Sequence, residues 1–363
     1  MKQGWEIKKL GEVCKINYGT RVVQKRDGGS MYPVYGGGGA TFKMDTYNRE
    51  DCLIVSRFAM SSQCVRFVNG KFFLNDSGLS LESSLPILSQ KFLDKHIVAL
   101  NDKIYSLGKG AAQRNLDITA LKNIDIHYPI SQKEQEQIVA ELDLISGIIE
   151  KKKQQLKELD SLAQSLFYEM FGNPVENDKG WDVKKLGEVC EFSQGVQIDV
   201  SLQSIERKDG WNRFLRIVDY TTDNTDIRLV KETNEKYFVK FDDIAVVRYG
   251  ASAGFVGINK DGVLANNLFK LNHNKNILDY RFLYSLLSTD YYKNFIKKIA
   301  FGVAMPALSF SSFKLFDIFI PPFVLQQEFA SMFESIERQK ALIKESIREM
   351  ETLFNSRMDF YFN

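Results

Sequence analysis

Two stretches of the chain place their apolar residues at alternating steps of four and three. The first runs Ile138, Leu142, Ile145, Ile149, Lys152, Leu156, Leu159, Ala163, Leu166, Met170, with only Lys152 out of character. The second runs Phe329, Phe333, Ile336, Lys340, Ile343, Ile347, Met350, Phe354, Arg357, Tyr361, with Lys340 and Arg357 as its exceptions. A period of 3.5 residues held this long marks a coiled-coil seam and not an ordinary amphipathic helix. No proline interrupts either run, and Gly147 lies off the seam. Pro129 and the pair Pro321/Pro322 mark where extended chain gives way to helix. The spacing therefore predicts long helices over 131–172 and 321–363. Their matched registers favour pairing with each other; the alternative is that each packs on its own domain. A lysine on a seam either fixes the register of the pair or lets its stem snorkel out to water.

Outside these runs the pattern shortens. Asp51–Ser56 and Asp243–Arg248 read as buried strands, and Gly70–Leu74 and Gly262–Ala265 follow turns at matching places. Gln90–Leu100 and Tyr280–Lys298 read as helices, and Ile124–Pro129 and Phe316–Pro321 as short strands ending in proline. Much of this occurs twice. Gly4-Trp5-Glu6-Ile7-Lys8-Lys9-Leu10-Gly11-Glu12-Val13-Cys14 returns at Gly180–Cys190 with changes only at Glu6/Asp182 and Ile7/Val183. The segment Gly110–Lys122 is echoed by Gly302–Lys314. The offset grows from 176 to about 192, so the second half carries some 15 extra residues, expected around Ser201–Trp211. The fold class expected is α+β (α/β): a globular domain over 1–130, a helix over 131–172, a second globular domain over 173–320 and a helix over 321–363. Two pseudo-repeated domains would thus be joined by two long helices forming an antiparallel coiled coil. Asn173–Lys179 reads as the linker that ends the first helix.

Composition narrows the class without deciding it. The net charge is +2, but residues 1–130 hold 18 basic against 12 acidic side chains. That local excess permits nucleic-acid binding without requiring it. No apolar run approaches the roughly 18–20 residues needed to span a bilayer, so no membrane role is expected. Cys14, Cys52, Cys64 and Cys190 form no C-x-x-C pair, and Cys14 and Cys190 are copies of one position. They read as small buried residues in a reduced, cytoplasmic protein.

Candidate chemistry lies at the turns. Arg57-Phe58-Ala59-Met60-Ser61-Ser62-Gln63 aligns with Arg248-Tyr249-Gly250-Ala251-Ser252-Ala253-Gly254. An arginine, an aromatic and a hydroxyl-bearing turn can contact guanine or phosphate; the competing reading is that Arg and ring brace the turn. Candidate DNA-contacting residues are Arg57, Ser61, Ser62, Gln63, Lys109, Gln113 and Arg114 in the first half. In the second they are Arg248, Tyr249, Ser252, Asn266 and Asn267. The polar cluster Lys109, Gln113, Arg114, Asn115 is nearly lost in its copy, Phe301–Ala307, so it is no shared catalytic device. Gly36–Gly39 lacks the Lys-Ser/Thr of a phosphate loop and reads as a flexible turn. Three histidines without metal spacing, and no G-x-S-x-G, H-E-x-x-H or Asn/Asp-Pro-Pro-Tyr/Phe stretch, leave an enzyme hypothesis without residues; no catalytic residue and no metal site are assigned.

The whole arrangement resembles the DNA-specificity (S) subunits of type I restriction-modification systems. The resemblance is carried by the paired Gly-Trp…Lys-Leu-Gly-Glu-Val openings, Tyr-Pro-Val-Tyr-Gly-Gly-Gly-Gly (32–39), Gly-Ala-Ala-Gln-Arg-Asn-Leu (110–116) and the Pro-then-Gln/Glu helix entries at 129–137 and 321–328. It departs from the family pattern at Met305-Pro306-Ala307. It implies two target-recognition domains, each reading half of a split site in double-stranded DNA, with the helices fixing the unread gap. It also implies two methyltransferase (M) subunits as partners, and restriction (R) subunits. S-adenosylmethionine, ATP and Mg would reside in those partners, with no cofactor in this chain. A non-catalytic coiled-coil adaptor, or the specificity part of another methyltransferase or restriction system, are the alternatives. A helix of roughly 40 residues is about 60 Å long, against about 34 Å for one turn of duplex, which suits a ruler. Four residues inserted near Glu158, about one helical turn, are expected to lengthen the unread spacer and leave both half-sites unchanged. Base-resolved mapping of the methylated sites checks this, and altered half-sites would contradict the ruler.

Overall fold

A computed structural model describes residues 3–110, 113–222, 224–299 and 307–362. The two long helices run Gln132–Phe171 and Phe323–Phe362. The chain forms two compact units, one holding the residues up to Lys153 together with those from Glu345, the other Gln154–Lys344. This division cuts through both helices and does not follow the element boundaries at 130, 172 and 320. The reason is that each globular part shares its core with the start of one helix and the end of the other. In the first unit, Ile138, Val139 and Leu142 join Met358 and Phe362 in one core with Trp5, Leu10 and Phe92. In the second, Phe167 and Phe171 join Phe329 and Phe333 around Phe282 and Phe319.

Within each unit the helical segments are antiparallel. In the first, Lys153 pairs with Glu351 at 3.1 Å, and Glu141 accepts from Arg357 Nη2 at 3.0 Å and from the Tyr361 hydroxyl at 2.6 Å. In the second, Lys340 pairs with Asp160 at 2.7 Å, and the Phe167 and Phe329 rings lie 5.9 Å apart. Leu142, Ile145, Ile149, Ile336 and Ile347 are buried; Leu156, Leu159, Ile343, Met350 and Phe354 are half-buried. Lys340 does not escape to water: its side chain is 15% exposed and also holds Glu337 at 2.6 Å. Burial presses its ammonium toward the neutral form, but the bonds to Asp160 and Glu337 outweigh this and raise its pKa.

The first unit contains β1 (Trp5–Lys9), β2 (Cys14–Tyr18), β3 (Tyr32–Tyr35), β4 (Lys43–Met44), β5 (Arg49–Ser56), β6 (Val65–Leu74), β7 (Gly78–Ser83), β8 (Gly108–Lys109), β9 (Asn115–Leu116) and β10 (Asp125–Pro129). Six of them form one sheet in the order β2-β7-β5-β6-β3-β4, and β1 pairs with β10. The second unit contains β11 (Asp182–Lys185), β12 (Cys190–Gln194), β13 (Asn212–Leu215), β14 (Arg228–Val230), β15 (Phe238–Val239), β16 (Ile244–Val247), β17 (Val256–Gly257), β18 (Gly262–Leu264), β19 (Leu268–His273) and β20 (Asp317–Ile320). Here the sheet splits in two, β12-β19-β16-β17 and β14-β13-β18-β15. In the first unit the ten-residue β6 pairs with β5 from Val65 to Phe72 and parallel to β3 at Phe73 and Leu74. In the second, that job is divided between β17 and β18.

Strand registers locate the extra residues of the second half. Parallel pairing aligns Val34 with Phe214, and the antiparallel ladders align Ser56 with Val247. The offset is therefore 176 at Cys14/Cys190, 180 at Val34/Phe214 and 191 at Ser56/Val247. Most of the extra length falls between β13 and β16, and not at Ser201–Trp211 as the sequence suggested. The expected helix Tyr280–Lys298 is two, Tyr280–Leu286 and Asp290–Ile299. The break sits at Thr289, whose hydroxyl donates to the Leu286 carbonyl at 2.7 Å and accepts from the Tyr292 N–H at 3.4 Å, capping the second helix.

The near-identical openings have a local explanation. Lys9 pairs with Asp125 and Lys185 with Asp317, both at 2.6 Å. Glu12 accepts the Lys9 N–H at 3.0 Å and Glu188 the Lys185 N–H at 3.3 Å. A Cβ on Gly11 or Gly187 would lie 3.0 or 2.8 Å from the Cβ of Lys122 or Lys314. The helix entries are tied down in the same way twice. Gln135, fully buried, accepts the Ser89 N–H at 2.8 Å and donates to the carbonyls of Ile87 at 2.9 Å and Pro129 at 2.8 Å. Gln326, also fully buried, does the same with Asp279, Ile277 and Pro321 at 2.9, 3.0 and 2.9 Å. Gln135→Ala and Gln326→Ala each leave three backbone groups unpaired, one buried and two partly buried, and are expected to cost about 2–4 kcal/mol. Hydrogen exchange should speed up around 87–100 in the first variant and around 277–287 in the second.

Candidate nucleic-acid interface

In the first unit three segments that are far apart in sequence meet at one end of the sheet. Arg57 follows β5, and its N–H donates to the Ser77 carbonyl while its own carbonyl accepts the Leu116 N–H, each at 2.8 Å. The Met60 N–H reaches the Arg114 carbonyl at 3.0 Å, which joins the Arg57–Gln63 turn to the β8–β9 hairpin. Gly36–Gly39 lies against the same turn: a Cβ on Gly37 would stand 2.2 Å from the Phe58 carbonyl oxygen. Arg66 donates to the carbonyls of Gly38 and Gln63, and Ser56 Oγ donates to the Gly37 carbonyl at 2.7 Å. The glycine loop is thus a bonded part of this cluster and not an independent turn.

The first-half candidates come together here. The Arg57 guanidinium stacks on Phe58 and Tyr18, at 4.5 and 5.1 Å from the ring centroids. The Arg114 guanidinium lies 4.7 Å from the Tyr105 ring. Ser61, Ser62, Gln63, Gln113 and Arg114 are exposed. Ser61 Oγ donates to the Gln63 carbonyl at 3.4 Å, and the Ser62 carbonyl accepts from Asn101 at 2.8 Å. Lys109 pairs with Asp117 at 2.6 Å but stays 78% exposed, so its charge still faces water. Ala111 and Ala112 lie outside the described residues.

The second unit uses the equivalent turn differently. Arg248 donates from Nη1 to Gln194 Oε1 and from Nε to the Leu308 carbonyl at 3.3 Å, and it stacks between Tyr249 and Phe310. This arginine is bonded into its own turn. Tyr249 is exposed, Ser252 and Asn266 half-buried, and Asn266 Nδ2 donates to Gln197 Oε1 at 3.2 Å. Asn267 is an internal support: its carbonyl accepts the Arg248 N–H at 2.9 Å, and its buried Oδ1 has no partner among the described residues. Of the exit segment, Phe301–Pro306 lies outside the described residues, while Ala307 bridges to Tyr249.

With this geometry established, comparison with known proteins places the chain. The family model for the type I restriction modification DNA specificity domain matches residues 2–160 and 178–352. The chain belongs to this family. It is similar to the type I restriction enzyme MjaVIII specificity subunit of Methanocaldococcus jannaschii, 26% identical over 181 residues covering 50% of this chain and 41% of that protein. It is also similar to the MjaIX specificity subunit of the same organism, 24% identical over 294 residues, 69% of this chain and 64% of that protein. The chain thus spans about two fifths to two thirds of the length of these relatives. Its fold resembles the crystal structure of the type I restriction-modification system S subunit from M. genitalium, with a TM-score of 0.66, 18% identity, and 99% and 96% of the two chains covered.

In this family member, sequence reasoning missed the residues that orient the candidates. Tyr18, Tyr105, Arg66, Gln194 and Phe310 lie in strands, loops or short helices with no motif of their own, and only pairing in space brings them to the turns. It also missed the buried Asp219, between β13 and β16, whose side chain is fully enclosed. Asp219 accepts from the Arg216 N–H at 2.9 Å, from the Arg213 and Arg216 guanidiniums at 3.2 Å each, and from Asn224 at 3.1 Å. Burial pushes its carboxyl up, but these donors together hold it below the ordinary carboxylate range. A depressed folded-state pKa contributes stability above the unfolded value near 3.8, and that stability is lost as pH falls through the folded value. Asp219→Asn is expected to destabilise the second unit by about 2–3 kcal/mol at neutral pH. It should also flatten that unit's loss of stability below about pH 4, followed by acid titration with hydrogen exchange of 212–243.

Proposed function

We propose that this chain is the DNA-specificity subunit of a type I restriction-modification complex. Each unit reads one half of a bipartite site in double-stranded DNA. The paired helices set the unread gap and dock two methyltransferase subunits; restriction subunits join the assembly. The chain itself carries no catalysis, and S-adenosylmethionine, ATP and Mg belong to the partners. The observation that carries this reading is that the family model covers both halves while the reading-end loops of the halves differ. A shared scaffold with unlike turns suits two unlike half-sites. The first cluster adds chemistry suited to DNA: exposed Arg114 and Lys109 for phosphate, with hydroxyls and amides at Ser61, Ser62, Gln63 and Gln113 for base edges.

The full chain, assembled with the methyltransferase subunits of its own system, should bind one bipartite duplex over scrambled competitors. Its affinity should fall linearly on a log–log plot against salt, with a slope of about −0.9 for each phosphate contacted. Lys109→Ala and Arg114→Ala are each expected to make that slope shallower by about one. Binding without sequence preference would favour a coiled-coil adaptor instead.

A further inference from the structure

Arg57 and Arg248 occupy the same register position, one residue beyond the aligned strand ends Ser56 and Val247. Their donors differ. The Arg57 guanidinium, half-buried and stacked on two rings, makes no hydrogen bond or ion pair with any described residue. Its backbone is fixed on both sides by Ser77 and Leu116. It is a fork held on a fixed backbone and two rings, with its N–H groups unengaged among the described residues. The Arg248 guanidinium is also stacked on two rings, but it donates to Gln194 and to the Leu308 carbonyl. One part of the difference lies at a single position: Tyr18 and Gln194 are the last residues of the equivalent strands β2 and β12. The Tyr18 ring accepts no hydrogen bond from Arg57, while the Gln194 amide oxygen accepts from Arg248 Nη1.

Next to the captured arginine stands a different pair. Gln194 Nε2 donates to the Asn266 carbonyl at 3.0 Å, and Asn266 Nδ2 donates to Gln197 Oε1 at 3.2 Å. Val196 and Ala265 form a parallel bridge beside them, which fixes both backbones. Exposed Gln197 keeps its Nε2 donor, and half-buried Asn266 its Oδ1 acceptor, without a partner among the described residues. Among the described residues, this amide pair therefore leaves one donor and one acceptor open.

We infer that the two halves of the site are read by different chemistry. Arg57 recognises a guanine in one half-site. Arg248 reads no base and braces its turn, and the Gln197–Asn266 pair recognises an adenine in the other half. Guanine shows two acceptors, O6 and N7, on its major-groove edge, which match a guanidinium fork. Adenine shows one acceptor, N7, and one donor, the N6 amino group, which match an amide donor and acceptor.

This assignment rests on the DNA-reading function proposed above. The test uses the full chain assembled with its methyltransferase subunits, a panel of duplexes substituted one base pair at a time, and base-resolved mapping of methylation. Arg57→Ala and Arg57→Lys should each relax one G·C pair of one half-site about 10- to 100-fold and leave the other half-site unchanged. Lysine keeps the charge but not the fork, so an Arg57→Lys protein with wild-type preference would make Arg57 a phosphate contact and overturn the inference. Gln197→Ala and Asn266→Ala should each relax one A·T pair of the opposite half-site; unchanged preferences in both would also overturn it. Arg248→Ala should lower the melting temperature and alter no base preference, and a relaxed base pair in that variant contradicts the bracing role. A wild-type complex without sequence preference would refute the proposed function itself. A selective wild type with unaltered Arg57 variants would refute only this inference.

Discussion

The structure depends on a buried side-chain amide used twice. At Gln135 and Gln326 the chain has just turned from an extended segment ending in proline into a 40-residue helix, and the bend leaves backbone groups of that segment's end and of the adjacent loop outside any ladder. The two glutamines solve the problem from inside. Each amide bonds the loop before a short domain helix (Ile87 and Ser89, or Ile277 and Asp279) and the proline carbonyl at the strand end. The start of each long helix is thereby fixed to its domain by directional bonds that tolerate no slip. Hydrophobic contacts alone, such as those of Leu142 or Phe329, would permit small rotations, because burial has no direction.

The seam of the helices shows the same logic in polar form. Lys340 and Arg357 sit at positions an ideal coiled coil would fill with apolar side chains. Each is matched by acids, Asp160 and Glu337 for Lys340 and Glu141 for Arg357, the latter bonded to Tyr361 as well. A charge at such a place is tolerable only in the register that supplies its partner. The apolar seam sets that helices pair, and the charged positions set which residues face each other.

Against this shared frame the two turn clusters diverge. At the strand end Tyr18 stands against Gln194, and the amide of Gln194, with the Leu308 carbonyl, engages the second unit's arginine. The second unit then builds an added segment between β13 and β16, held by the enclosed carboxylate of Asp219. The parts under duplicate constraint, Gly11 and Gly187 against their lysines and Lys9 and Lys185 on their aspartates, are those that hold short helix to short helix and strand to strand. The parts that differ between the halves are loops whose ends are already fixed.

The chain's own pattern was enough for the repeat, the α+β class, the two long helices and their seam, because periodicity and near-identical segments are local properties. It was also enough for the Arg57 and Arg248 turns, which follow recognisable strands. The placement of the extra residues was not legible, since an offset counted between motifs does not say where between them the insertion lies; strand register does. The break at Thr289 was hidden because apolar residues continue across it and only the hydroxyl cap reveals the new start. Above all, two aligned arginines looked alike in sequence. What separates them, a ring or an amide arriving from a strand about 40 to 55 residues earlier, is a contact made in space, and only the tertiary structure could decide it.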